Sequence, residues 1–359
     1  MNNRKLVLEN GMVFNGLGFG SNNEAVCELV FNTAVVGYQE NLTDPSNYGK
    51  MMCLTYPVIG SYGLTSEDNE SKTLTVSGLV VREYNDEPSN FRFTTKLDEV
   101  MDEAGVPGIM NVDTRYIARI LRDNGVMKAL ICDIDKPLEE CLEVIKNYST
   151  PKNIVEQISS KKVWHSRTTN PHYTVVAIDC GLKKSNVNML NKAGCNVVVV
   201  PYGTTSEQIM KYKPNGLLIS SGPGNPEELT YLISQVSELK GKLPILGLGL
   251  GQNVIALSYG ASVYRLNVGH NGCNLPVKNL TTGKIEITTQ NNIYAINEES
   301  LQNTTLTVTH KNVLDGAVAG ISDIENNVIA ISYHPNDTAE VEEYVFNRFT
   351  VLMRKAGNR

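Results

Sequence analysis

Residues 244–260 read PILGLGLGQNVIALSYG, and the fold of the second half of the chain turns on them. The apolar run Pro244–Leu248 has the content of a buried strand. It enters a turn with three alternating glycines, Gly247, Gly249 and Gly251, and a helix-forming segment, 252–259, follows at once. Strand, tight turn and helix form a nucleophile elbow, which lifts one side chain above the edge of an α/β sheet. The residue at the apex is the one that reacts. Here it is Gly249, which has no side chain.

Strand and helix signals alternate upstream of the elbow. Thr174–Asp179 is a continuous apolar strand, and Ser185 is placed to cap a helix that runs to Lys192 and stops at Gly194. Asn196–Pro201 and Leu217–Ser220 read as the next strands, with a short helix at Ser206–Tyr212 between them. Asn225-Pro226-Glu227-Glu228 is a helix start, and Leu229, Leu232, Val236 and Leu239 form the inner stripe of that helix. Alternation of this kind predicts an open, mostly parallel sheet with its site at the carboxyl ends of the strands. Beyond Gly260 the chain turns β-rich, at Ser262–Leu266, Lys284–Thr289, Leu306–Thr309 and Val328–Tyr333. It closes with an amphipathic helix, Ala339–Arg354, that buries Val341, Val345, Phe349 and Leu352.

The first 150 residues follow another pattern and read as an α+β unit. Asn10-Gly11 between Lys5–Leu8 and Met12–Phe14 is a hairpin signal. Ala25–Val36 and Lys50–Tyr56 read as strands around a polar, turn-rich stretch, 37–49, in which Glu40 and Asp44 count as turn polarity. Thr73–Tyr84 is a strand pair or a bent strand. Helices are expected at Lys96–Ala104 and at Thr114–Arg122, the latter capped by Asp113. Met127–Asp133 is a strand and Leu138–Asn147 a helix. GLGFG at 16–20 is read as a turn, because no helix pattern follows it as a phosphate loop requires. The expected organisation is a domain at 1–150, a connector at 151–172 carrying Pro151, Pro171 and the single Trp164, and a domain at 173–359.

Composition narrows the function classes. Among 359 residues the formal net charge is −6 and charged residues make up 19%, so no basic surface invites nucleic acid. The seven cysteines are scattered without a CxxC pair, which predicts reduced, buried thiols and no zinc site. The first residues, MNNRKLVLENG, lack the apolar core of a signal peptide, and no apolar run approaches the ~20 residues of a membrane span. The expectation is a cytoplasmic protein with no membrane partner.

Four segments converge on the carboxyl edge of the second domain: SGPGNP (221–226), GLGLGQN (247–253), TTQNNIY (288–294) and YHPN (333–336). Their order and spacing resemble a class I, triad-type glutamine amidotransferase domain. In the first domain GYQENLTDPSNYG (37–49), LTYPVIGSYG (54–63), SNFR (89–92) and NVDTRYIARILRDNG (111–125) resemble the small subunit of carbamoyl-phosphate synthase. So do GHNGCNLPV (269–277) and VTHKNVLDG (308–316). The similarity runs from about Leu6 to the last helix. It implies an α/β protein in which an N-terminal α+β domain of the small-subunit type precedes an open, mostly parallel-sheet class I amidotransferase domain.

In that family a Cys–His–Glu triad hydrolyses glutamine. A thiolate with a lowered pKa attacks the amide, the histidine relays protons, and the acid orients the histidine. The match here is uneven. Gly249 stands at the nucleophile position, His334 is retained, and Asn336 replaces the orienting Glu. The substrate-holding Gln is Asn253. The family's Q-N-H-G-F becomes Gln290-Asn291-Asn292-Ile293-Tyr294, so a glycine facing substrate has become Ile293. Ser46, Gly222, Gly224, Leu250, Asn291 and Tyr294 fall on the remaining glutamine-contact positions.

The resemblance therefore implies a small subunit whose own glutaminase is lost and whose glutamine binding is in question. Such a subunit partners a large subunit that holds ATP and a divalent cation and makes carbamoyl phosphate, for arginine or pyrimidine synthesis, from ammonia. No cofactor or metal is expected in this chain. Two alternatives stand beside it. One is glutamine hydrolysis by an unrecognised nucleophile, for which the candidates are Cys273, read in a loop that approaches the site, and Ser220 and Ser221 on its phosphate-loop-like rim, none of them on an elbow with a helix behind it. The other is a stand-alone amino-acid-binding module. His270 and His310 are read as structural. A dinucleotide-binding reading of GLGLG fails for want of a third glycine at the right spacing and of an acid after the next strand.

Overall fold

The computed structural model describes residues 2–335 and 339–357, with only the backbone for 339–344. Asn336 and the side chain of Val341, both singled out above, lie outside the described residues. The chain divides into two compact units, Met1–Pro151 with Asn267–Gly272, and Lys152–Leu266 with Cys273–Arg359.

The first unit is built on a closed barrel. Its strands are β1 (Asn3–Leu8), β2 (Val13–Gly20), β3 (Ala25–Asn32), β4 (Lys50–Leu54), β6 (Gly78–Val80), β8 (Pro107–Met110) and β9 (Met127–Asp133). A separate two-stranded ribbon pairs β5 (Val58–Ile59) with β7 (Glu83–Tyr84). The barrel order is β1-β2-β8-β6-β4-β3-β9, closed by antiparallel pairing of β1 with β9. The helices are α1 (Tyr38–Thr43), α2 (Leu97–Glu103), α3 (Thr114–Asn124) and α4 (Leu138–Asn147). Period-two alternation distributes the core. Leu6 and Leu8 of β1 pack with Leu29, Met51, Ile109 and the buried face of α3, whereas Val7 packs with Leu130 and with Cys141 and Ile145 of α4. Asp113 caps α3 as expected, accepting from the Tyr116 N–H at 2.9 Å.

Two expectations are corrected here. GLGFG is no turn: it continues β2, which pairs antiparallel with β8 through Leu17–Gly20. The glycines are there for close approach, since a Cβ placed on Gly16 falls 2.2 Å from the Met110 carbonyl oxygen and one on Gly18 falls 2.7 Å from Arg4 Cγ. The polar stretch 37–49 folds into α1 and a 3₁₀ turn, Pro45–Asn47, and is mostly buried. Its polarity is used internally. The Tyr38 hydroxyl donates to the Gly63 carbonyl at 2.7 Å, and Asp44, read above as turn polarity, caps the 3₁₀ turn by accepting from the Ser46 N–H at 2.8 Å.

The second unit contains a ten-stranded sheet. Its elements in chain order are α5 (Ile154–Ile158), β10 (Trp164–Ser166), β11 (Tyr173–Asp179), α6 (Lys184–Lys192), β12 (Cys195–Pro201), α7 (Ser206–Lys211), β13 (Gly216–Ile219), α8 (Thr230–Leu239), β14 (Ile245–Leu248) and α9 (Leu250–Ser258). Then come β15 (Val263–Asn279), β16 (Ile285–Ile296), β17 (Thr307–Asn312), β18 (Val318–Asp323), β19 (Val328–Ile331) and α10 (Ala339–Gly357). The sheet order is β10-β12-β11-β13-β14-β19-β18-β17-β15-β16. The strands from β12 to β19 in that order run parallel, and β18 and β17 continue antiparallel. The stretch 151–172 holds α5 and β10, and β10 pairs antiparallel with β12. α6 starts at Lys184 behind an N-cap, Lys183, that makes no side-chain cap, so Ser185 is not its cap. β15 and β16 are far longer than their sequence signals, and β18 falls where the sequence pattern places no strand. Val345, Phe346, Phe349 and Met353 of α10 pack against β11, β12 and β14 in one core cluster, with Leu352 at its margin.

Among the described residues no helix is long and apolar enough to cross a membrane. The seven cysteines form no disulfide; six are buried and Cys273 is half-buried.

Candidate active site

The elbow forms at the end of β14, between β13 and β19 in the sheet. Gly249 takes φ 53° and ψ −112° and caps α9, which begins at Leu250, two residues earlier than the sequence suggested. Few residues with a side chain adopt that conformation without strain. The flanking glycines act differently. A Cβ on Gly247 falls 2.5 Å from Ile255 Cδ1, and one on Gly251 falls 2.2 Å from the Ile219 carbonyl oxygen. They let α9 lie hard against β13 and β14. The Gly249 N–H is anchored to the Ile331 carbonyl of β19 at 2.8 Å.

The frame is therefore intact, and the difference lies inside it. A Cβ on Gly249 falls 3.0 Å from Ser221 Cβ and 3.8 Å from Asn292 Oδ1. Ser221 and Asn292 therefore line the space that a nucleophile's side chain enters. The resemblance by itself assigns Asn292 no role. The Q-N-H-G-F comparison held the signal, because a histidine position has become a carboxamide. Its Nδ2 donates to the Ser332 carbonyl at 2.6 Å.

His334 follows two residues later and is 3% exposed. Its N–H donates to the Thr289 carbonyl at 2.8 Å, an isolated bridge that ties the end of the β19 segment to β16. Asn291, Ile293 and Tyr294 lie on β16, with Asn291 buried and the other two half-buried. The Asn253 carboxamide on α9 reaches the Tyr294 carbonyl at 3.4 Å. Gly222 closes on the residue after β11: a Cβ there falls 2.0 Å from the Cys180 carbonyl oxygen and 3.1 Å from Leu250 Cδ2. One on Gly224 falls 2.5 Å from Ile154 Cγ2. Leu250 opens α9, so its N–H belongs to the turn that has no acceptor within the helix. Ser46 belongs to the first unit, where it is buried and its carbonyl accepts from Lys50 Nζ at 2.8 Å.

The substitute nucleophiles fare poorly. Ser220 Oγ accepts from the Cys180 N–H at 2.9 Å and donates to the Ser221 carbonyl at 2.9 Å, so it is occupied as a buried link between two loops. Ser221 is 1% exposed, and its hydroxyl lies 3.5 Å from the Gly181 carbonyl. Burial pushes the Cys180 thiol well above the ordinary thiol range, with Asp179 adding to the shift. Cys273 lies within β15, not behind a helix N-terminus. His310 is buried edge-on to Tyr333, and its Nδ1 lies 2.9 Å from Thr309 Oγ1. Burial, reinforced by Arg348, lowers its pKa to about 4. His270 lies on β15 among the residues that group with the first unit.

A mostly parallel sheet, an elbow ending a central strand and a histidine just beyond the neighbouring strand define a class I glutamine amidotransferase domain. The glutamine amidotransferase class-I family description matches residues 176–352, and that of the carbamoyl-phosphate synthase small chain, CPSase domain, matches residues 6–131. A protein described as carbamoyl phosphate synthase small chain, from Staphylococcus epidermidis, is 41% identical over 98% of this chain and 96% of its own. One from Halalkalibacterium halodurans, described as a pyrimidine-specific small chain, is 40% identical over 99% of this chain and 98% of its own. A Fusobacterium nucleatum small chain is 40% identical over 97% and 98%. The chain belongs to the carbamoyl-phosphate synthase small chain family.

Proposed function

We propose that this chain serves in the cytoplasm as the small chain of a carbamoyl-phosphate synthase and has lost its own glutaminase. In this reading it supports or tunes a large chain that binds ATP and a divalent cation and takes ammonia from solution. The product feeds pyrimidine or arginine synthesis.

One observation carries the reading: the elbow is built to the last close contact, yet its apex is Gly249. Hydrolysis of an amide by this kind of site begins with a thiolate attacking the amide carbon, and no atom is present to make that bond. Removing a nucleophile from a triad costs on the order of 10⁶ in kcat. His334 remains, and a histidine that moves protons has nothing to activate when the nucleophile is gone.

The test is to purify the chain with its large chain and measure carbamoyl phosphate, first with glutamine and then with ammonium chloride. Synthesis with ammonium alone is expected. Glutamine used as well as ammonium, or ammonia released from glutamine by the chain above a His334→Ala control, would overturn the reading. Failure to associate with any such large chain would favour a stand-alone amino-acid-binding module.

A further inference from the structure

Ile331 and Ser332 offer consecutive carbonyls at the end of β19. The first accepts from the Gly249 N–H at 2.8 Å and the second from the Asn292 carboxamide at 2.6 Å. Elbow apex and carboxamide are thus fastened to adjacent residues, the last of β19 and the one that follows it. The other atom of that carboxamide, Oδ1, lies 3.8 Å from where a Cβ on Gly249 would stand. That is ordinary van der Waals contact, so a sulfur on that Cβ has no room on the Oδ1 side: the carboxamide stands in space that a nucleophile and the amide it attacks would share.

We infer that the Asn292 carboxamide is a built-in amide occupant of the elbow, closing to glutamine the position its own amide group would need. The chain carries there a short, clamped copy of the substrate's functional group. Its donor satisfies the Ser332 carbonyl, next in the chain to the carbonyl that anchors the apex, so displacing it breaks a part-buried hydrogen bond. The ordering of the neighbourhood supports this. The Thr289–His334 bridge ties the same two segments a second time, three residues from Asn292 along β16. Ser221 also crowds the apex, its Cβ 3.0 Å from the same point. The inference rests on the proposed loss of glutaminase and extends it: the site is shut to the amide as well as lacking its nucleophile. A cysteine restored at the apex would therefore face an internal carboxamide and not an open pocket.

The test compares Gly249→Cys with Gly249→Cys/Asn292→Ala in the full chain. Each is treated with a chloromethyl ketone analogue of glutamine, in which the thiolate forms the S–C bond and chloride leaves. Intact mass reads the adduct, and free glutamine in the reaction reads site-directed labelling through protection. Alkylation about tenfold faster in the double variant is expected, the factor that competition from one ordinary hydrogen bond produces. A second measurement avoids a side chain at the strained apex: ligand-observed NMR with glutamine on the unmodified chain and on Asn292→Ala, with binding expected only in the variant. Equal alkylation of the two cysteine variants overturns the inference, as does an Asn292→Ala chain that gains neither labelling nor binding while Ile293→Gly gains both. Glutamine hydrolysis by the unmodified chain, which would sink the proposed function, is a separate result.

Discussion

The chain writes nearly the same five residues twice, GLGFG at 16–20 and GLGLG at 247–251, and folds them into different objects. The first is the second half of a barrel strand. The second is a strand end, a strained apex and the first turn of a helix. In both, the outer glycines admit a neighbouring backbone: the Met110 carbonyl lies 2.2 Å from a Cβ on Gly16, and the Ile219 carbonyl 2.2 Å from one on Gly251. They differ at the middle glycine. Gly18 is extended and leaves room for the buried stem of Arg4, whereas Gly249 adopts φ 53°. Glycine spacing therefore reports close packing, and the flanking residues decide what is packed. Val13-Phe14 before the first motif begins a strand that pairs with β8. Gln252-Asn253-Val254-Ile255 after the second begins a helix.

The largest effect is expected where a backbone oxygen stands in the way. Gly251→Ala and Gly16→Ala each cost about 3 kcal/mol, because a carbonyl held in a sheet cannot step aside as a side chain can. The two are separable by probe. Trp164, the single tryptophan, belongs to the second unit, so its fluorescence reads that unit while circular dichroism reads both. In urea, Gly251→Ala lowers the fluorescence midpoint, and Gly16→Ala shows chiefly in the dichroism. A Gly251→Ala chain whose fluorescence midpoint matches the unmodified one would refute the close-packing account of the elbow.

Gly249→Ala comes next, at about 2 kcal/mol, from backbone strain in a rarely occupied region together with the contact to Ser221. That contact is with a Cβ, which can give by a few tenths of an ångström, so the cost stays below that of Gly251→Ala. The order of the two midpoints sharpens the comparison. If Gly249→Ala is the more damaging, strain at the apex and not packing against β13 sets the stability of the elbow.

Much of this organisation was legible in the residues. The Asn10-Gly11 hairpin, the Asp113 cap, the bounds of β9 and α4 and the run of parallel strands all follow from local pattern, because local pattern is what forms them. The elbow was legible for the same reason. GLGFG misled because the need for its glycines comes from Met110 and Arg4, far away in sequence. The 37–49 stretch looked like a surface turn because its polar groups find partners elsewhere: the Gln39 carboxamide bonds Thr65 and Asn69. Val318–Asp323 is a strand whose small residues and central glycine carry little β signal, and its neighbours in the sheet make it one. Within the site, Gly249 and His334 stood out by alignment. Asn292 did not, since only the fold brings its carboxamide beside the apex.

Another glycine of the close-approach kind lies outside any alternating pattern, and it leads to the smallest effect. A Cβ on Gly320 of β18 falls 2.5 Å from His310 Nδ1, so Gly320 makes the room in which that imidazole is buried. Burial and Arg348 hold the His310 pKa near 4, against about 6.5 for an unperturbed histidine. Above pH 6.5 the ring is neutral in the folded and unfolded chain alike, and its contribution to stability is complete. As pH falls the unfolded chain takes up a proton first, so stability is lost progressively between about 6.5 and 4 and then levels off. The loss amounts to about 1–2 kcal/mol once the part of the ring's surroundings that yields is allowed for. It is read as the difference in urea midpoint between pH 7 and pH 4.5, in the unmodified chain and in His310→Gln. Carboxylates contribute to both chains equally, so the smaller acid shift of the variant isolates the histidine. Identical acid shifts in the two chains would mean that His310 is solvated in the folded protein and that Gly320 guards something else.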